Sequence, residues 1–104
     1  ELQNKFIEPT NSEWIGEIGN KLTSHVYLRN IHQFQGTFGL TSVFTFEDEF
    51  ENSIVWITSK YVDINVGDFC EISGIIKARN IFRGDKQTVL TRCRCGVIKK
   101  GDED

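Results

Sequence analysis

Gly67-Asp68-Phe69-Cys70-Glu71-Ile72-Ser73-Gly74-Ile75-Ile76-Lys77-Ala78-Arg79-Asn80-Ile81-Phe82-Arg83-Gly84-Asp85-Lys86-Gln87-Thr88-Val89-Leu90-Thr91-Arg92-Cys93-Arg94-Cys95 consists of two β-rich arms around a Gly-Asp step. Gly84 at the first central position suits a two-residue type II′ turn, which needs φ > 0 there. The stretch is therefore expected to be one long hairpin in which Arg83 faces Lys86, Ala78 faces Thr91, Lys77 faces Arg92 and Ile76 faces Cys93. Side chains alternate between the faces of a strand. One face then collects Ile72, Gly74, Ile76, Ala78, Val89, Thr91, Cys93 and Cys95, all small or apolar, and is a core face. The other collects Lys77, Arg79, Arg92 and Arg94 with Ile75 and Leu90, and holds no acid.

Like charges directly across a strand pair are unfavourable unless an anion lies over them, and the anion that suits a row of such cations is a phosphate backbone. The plainer alternative is a charged, solvated face that keeps the sheet from pairing with other sheets.

At 104 residues the chain is the size of one domain with a modest core. Its nine Gly, one Pro and eight Phe, with β-branched residues throughout, point to a sheet protein with tight turns. No apolar run approaches membrane-spanning length and no leader-like segment opens the chain, so a soluble protein with no membrane partner is expected. A chain that starts at Glu1 and contains no Met is expected to be a trimmed protein or a piece of a longer one. The net charge of −3 is unevenly spread. Residues 1–59 carry a balance of −5, residues 60–100 carry +5, and the last four residues carry −3. The basic half contains the long hairpin. Three Cys in no framework spacing suit a reducing compartment, so a cytoplasmic location is expected, in a bacterial or phage-infected host cell. Cys93-x-Cys95 lacks the second ligand pair of a closed zinc site. Buried free thiols, with no metal and no cofactor, are expected instead.

Residues 1–12 have no clean period and contain Pro9, and are expected to form a flexible N-terminal arm. The domain proper spans 13–98, and 99–104 is an acidic tail. Trp14 caps the core. Lys21 to Phe34 is a long strand with Leu22, Val26 and Leu28 on its buried parity. Phe38 to Glu47 and Ser53 to Ser59 form a second hairpin across the acidic loop 48–51. With Glu47 opposite Asn52, the core face is Phe38, Leu40, Phe44, Phe46, Val55 and Ile57, and Trp56 lies on a partly exposed face as a stacking platform. Tyr61 to Val66 links the hairpins with a short helix or none. Five antiparallel-type strands with a long bent first strand and a late hairpin fit an all-β, five-stranded OB-like barrel of Greek-key type. An SH3-like barrel or small sandwich is the alternative.

Phe46-Glu47-Asp48, Asn52-Ser53-Ile54-Val55-Trp56, Val66-Gly67-Asp68, Ser73-Gly74-Ile75-Ile76-Lys77 and, above all, Phe82-Arg83-Gly84-x-Lys86-Gln87-Thr88-Val89-Leu90-Thr91-Arg92-Cys93 resemble OB-like domains of phage and mobile-element replication proteins. The resemblance covers residues 14 to 95. It departs from the family at Glu51, where a Gly commonly precedes the Asn. It implies binding of single-stranded DNA, alone or within a replication, recombination or repair assembly.

Strand-binding OB domains combine stacking aromatics with a cationic groove. The candidate stackers are Trp56 and Phe82, then Tyr27 and Phe34. Lys77, Arg79, Arg83, Lys86, Arg92 and Arg94 are the candidate phosphate contacts. Catalysis is not expected: the acids Glu47, Asp48, Glu49 and Glu51 share one loop, whereas two-metal hydrolysis draws ligands from separate elements. The competing functions are RNA binding, which shares the same physics, and docking of a replication-protein partner.

Overall fold

The computed structural model describes residues 11–37 and 39–101. It contains five strands: β1 (Lys21–Gly36), β2 (Gly39–Asp48), β3 (Ser53–Thr58), β4 (Phe69–Phe82) and β5 (Asp85–Lys99). They close into one barrel in the order β1-β2-β3-β5-β4, with no helix among the described residues. This is the all-β five-stranded barrel expected, and it is consistent with an OB-like barrel. Phe38, assigned to the core face of β2, lies outside the described residues.

Closure depends on β1. The strand is long enough to serve two neighbours, and a bulge between Leu28 and Asn30 bends it. Its first half pairs with β4 from Lys21↔Ile75 to Tyr27↔Phe69, and its second half pairs with β2 up to Gly36↔Gly39. The barrel shuts where β3 runs parallel to β5, from Ser53↔Gln87 to Trp56↔Leu90. Parallel neighbours need a long crossover, and the linker together with β4 supplies it. The interior is filled by Val26, Leu28, Phe44, Phe46, Ile54, Trp56, Cys70, Ile72, Ile76 and Leu90.

The linker between β3 and β4 is irregular, and the barrel holds it by Ile64, which is buried, and by the carboxylate of Asp68. Asp68 is 2% exposed. It accepts the Gly101 N–H on Oδ1 and the Asn65 N–H on Oδ2, each at 2.9 Å. These two bonds, that from Gly101 first, hold its carboxyl below the ordinary carboxylate range against the opposing effect of burial.

The long hairpin forms, but its details differ from the expected register. Phe82 pairs with Asp85, so the turn residues are Arg83 (φ 52°) and Gly84 (φ 82°). Both are left-handed, as a type I′ turn requires. Asp85 is drawn into the strand, where its carboxylate accepts the Ser53 hydroxyl. Two bulges then decide which residues face inward. An extra β4 residue at Lys77 sets Ile76 opposite Leu90 and Ala78 opposite Val89, so Leu90 and Thr88 turn inward in place of Val89 and Thr91. A second bulge, at Arg92 (φ 55°), restores Cys93 and Cys95 to the core side.

The second hairpin is one residue out of the expected register: Glu47 pairs with Ser53 and Phe44 with Trp56. A one-residue slip exchanges the faces of a strand. Trp56 is therefore a core residue, 6% exposed with its ring 5.6 Å from that of Phe44, and Ile57 is outside at 51%. Leu40, also assigned to the core, is 51% exposed near the start of β2. The slip comes from the Asp48 turn. Asp48 Oδ1 accepts the N–H groups of Phe50 and Asn52, and Glu51 takes φ 68° to close it.

Candidate nucleic-acid interface

The bulge at Lys77 splits the expected row of four cations. Beyond it, Arg79 shares a side with its partner Thr88, as Ile81 does with Lys86, and this side is covered by the segment Ser12 to Glu17. Ser12 Oγ donates to the Lys86 carbonyl and accepts the Ser53 N–H. The Ile15 N–H donates to Thr88 Oγ1, and the Trp14 indole N–H donates to the Asn80 carbonyl. The Trp14 ring lies 5.7 Å from the Arg79 guanidinium and 5.1 Å from the Lys86 ammonium. Arg79 also donates to the Gly16 carbonyl and faces Glu17, and Lys86 pairs with Glu13 at 3.1 Å. Two of the six expected phosphate contacts thus hold this strap. Lys77 and Arg92 do not face one another, so the cross-strand repulsion expected between them is absent.

The opposite surface of the barrel, the outward side of β1 (second half), β2, β3 and β5, can be followed row by row, because paired residues share a face. The rows are Glu47–Ser53–Gln87, then Asn30–Thr45–Val55–Val89, then His32–Val43–Ile57, then Phe34–Thr41; within them Ser53, Gln87 and Val55, the last buried as expected, are covered by their neighbours. From Glu47 to Thr41 the face is about 20 Å long at ~3.3 Å per residue. At one end Phe82, 56% exposed, carries the Arg83 guanidinium 5.2 Å from its ring. That tip borders a groove of ≈ 390 Å³ with Arg29, Glu47 and Glu51. Arg29 is bound to Glu47. At the other end Phe34 is 46% exposed, with His32 beside it at 6.1 Å.

The positive part of this surface lies on its β5 flank. After Trp56↔Leu90 the two strands separate, because β5 bulges at Arg92. A groove of ≈ 510 Å³ opens there, with Ile57, Lys60, Arg92 and Arg94 around it and Trp56 and Cys93 among its lining. Lys60, Lys77, Arg83, Arg92 and Arg94 make no ion pair among the described residues.

The ten expected binding residues therefore do not form one patch. Arg92 and Arg94 meet at the β3–β5 groove, Phe82 and Arg83 form the hairpin tip, and Phe34 closes the far end of the face. Arg79 and Lys86 hold the strap, Lys77 stands at its own bulge, and Trp56 lines the groove from within the core. Tyr27 is 54% exposed but lies against Phe69, on the β1–β4 side. Lys60 and Ile57 were not expected at the site. Lys60 lies two residues past the end of β3, and its position becomes meaningful only once β5 is known to run parallel beside that strand.

The thiols of Cys93 and Cys95 are pushed up to about 12 by burial, and that of Cys70 is raised for the same reason. All three are free. Among the described residues no three His, Cys, Asp or Glu side chains are grouped to hold a metal ion. No family model matches the chain, and comparison with curated proteins and with solved structures finds no match.

Proposed function

We propose that this barrel binds single-stranded nucleic acid, with single-stranded DNA as the first reading and little sequence preference, and that it acts by binding and not by catalysis. The observation that carries this is the β3–β5 groove, where Lys60, Arg92 and Arg94 stand without carboxylate partners among the described residues, beside an outward-facing sheet. Phosphates give sequence-independent attraction to such a groove, and exposed rings at the two ends of the adjoining face give stacking to any base. Phe34 and Phe82 are the rings placed to do so. The resemblance of the Gly84 to Arg92 stretch to replication-protein OB domains supports the same reading, and with it a cytoplasmic role in replication, recombination or repair.

A second reading, docking of a replication partner, draws on Leu40, Ile57 and Tyr61, which are 51%, 51% and 88% exposed. Anisotropy titrations with labelled oligo-dT, oligo-U and a duplex of equal length separate these functions. Oligo-dT is expected to bind, and the duplex at least tenfold more weakly, while oligo-U bound more tightly than oligo-dT would favour RNA as the ligand. Equal affinity for duplex would refute a single-strand site, and no binding to any of the three would leave the docking reading in its place.

A further inference from the structure

A different cavity, of ≈ 340 Å³, lies where β1 passes from β2 to β4. Its walls come from three elements. Tyr27 and His25 of β1 approach Phe69 of β4, with ring centroids 4.8 Å and 5.8 Å apart, and Phe50, 69% exposed, projects from the β2–β3 turn. Glu49 from that turn and Glu71 from β4 also line it. No Lys or Arg does. Asp48, the remaining acid, is occupied in capping its own turn. Among the described residues Glu71 has only His25 within ion-pair range, at 3.7 Å, and His25 compensates it only when protonated. Lys99 and Lys100 reach the Tyr27–Phe69 pair in a separate cavity, and Lys100 faces Asp68 there.

Aromatic faces are negative and attract a cation, most strongly where water is partly excluded. Carboxylates beside the rings add to that attraction and repel phosphate. An apolar stem carrying a positive head satisfies both wall types. We propose that this pocket takes a lysine or arginine side chain from a basic segment of a partner protein. The chain's own prominent cation, Arg83 at the hairpin tip, lies over Phe82 and is not extended as such a ligand. The site is independent of the nucleic-acid groove, whose charge is opposite.

The test is NMR titration of the whole chain, followed through the ring signals of Tyr27, Phe50 and Phe69. The probes are Nα-acetyl-lysine methylamide, its uncharged counterpart Nα-acetyl-norleucine methylamide, guanosine, and the peptide Gly-Lys-Gly-Lys-Gly. The lysine probe is expected to shift all three rings saturably and to bind about fivefold more tightly than norleucine. The peptide should bind more tightly again. Glu49→Gln with Glu71→Gln should reduce lysine-probe affinity about tenfold, and Phe50→Ala, at an exposed turn tip, about threefold. Unchanged urea unfolding of these variants shows that their fold is intact. Equal binding of norleucine, tighter binding of guanosine, unchanged affinity in the charge variants, or self-association that those variants abolish would each overturn the proposal.

Discussion

Replacing Asp68 with Asn changes a carboxylate that is 2% exposed and holds together three parts of the chain: the linker, the start of β4 and the end of β5. Each oxygen accepts one backbone N–H. Asn offers one acceptor and one NH₂ group, so either the Asn65 or the Gly101 N–H is left facing a donor. A hydrogen bond to a charged group contributes about 1.5–3 kcal/mol, and the surviving bond falls to the neutral value of about 1. Lys100, 3.9 Å away and 39% exposed, adds little after solvent screening. The expected loss is about 3 kcal/mol at neutral pH, or a fall in Tm on the order of 10–20 °C for a domain of this size. The pH dependence arises from the lowered carboxyl. Its contribution is fully present above the unfolded value of about 3.9 and is lost as pH falls through the lower folded value. Urea unfolding of both proteins at about pH 7 and about pH 2.5 should therefore show a gap that narrows in acid. A loss under about 1 kcal/mol at neutral pH, or a gap unchanged by pH, would refute the role given to these two bonds.

Glu51→Gly should stabilise the domain by about 0.5 kcal/mol. It removes a left-handed penalty of about 1–2 kcal/mol and loses some unfolded-state restriction and the Asn11 contact; the urea midpoint measures the net effect. Gly74→Ala should cost about 1–3 kcal/mol, because its Cβ would lie 2.7 Å from Cys93 Sγ and 2.9 Å from the Thr91 carbonyl. Cys70, fully buried with its thiol raised by burial, should react with a disulfide reagent at about pH 8 only as fast as the barrel opens, so urea below the transition should accelerate its reaction steeply, whereas Cys93, which lines the β3–β5 groove, should react without such acceleration.

Residue patterns expose most of this barrel. The parity of Leu22, Val26 and Leu28 marks the buried side of β1, and β-rich arms around Gly84 mark the hairpin, whose Gly does take positive φ. The remainder turns on single extra residues. The bulges near Arg29, at Lys77 and at Arg92 each exchange the faces of the strand beyond them, and no residue type there announces one. Arg83, Arg92 and Glu51 adopt left-handed backbone that their side chains do not favour, where Gly or Asn would have been a signal. The Asp48 turn moves Trp56 from a surface platform into the core by one register step. The strap is invisible for another reason: Ser12 and Trp14 bind backbone groups of a distant hairpin, a relation with no period along the chain. Thus the fold was legible, whereas the grouping of Arg92 and Arg94 with Lys60, and the diversion of Arg79 and Lys86 to Trp14, required the register.

The most direct test of nucleic-acid binding is the salt dependence of oligo-dT affinity for the unaltered chain and for Arg92→Ala with Arg94→Ala. If Lys60, Arg92 and Arg94 each neutralise one phosphate, log K should fall with log salt at a slope of about −2 from this groove, at ~0.7 per contact on single strands. The double variant should bind all sequences more weakly and flatten the slope by about 1.4, with its unfolding unchanged because neither side chain makes an ion pair among the described residues. An intact double variant with the same affinity and the same slope would contradict the account.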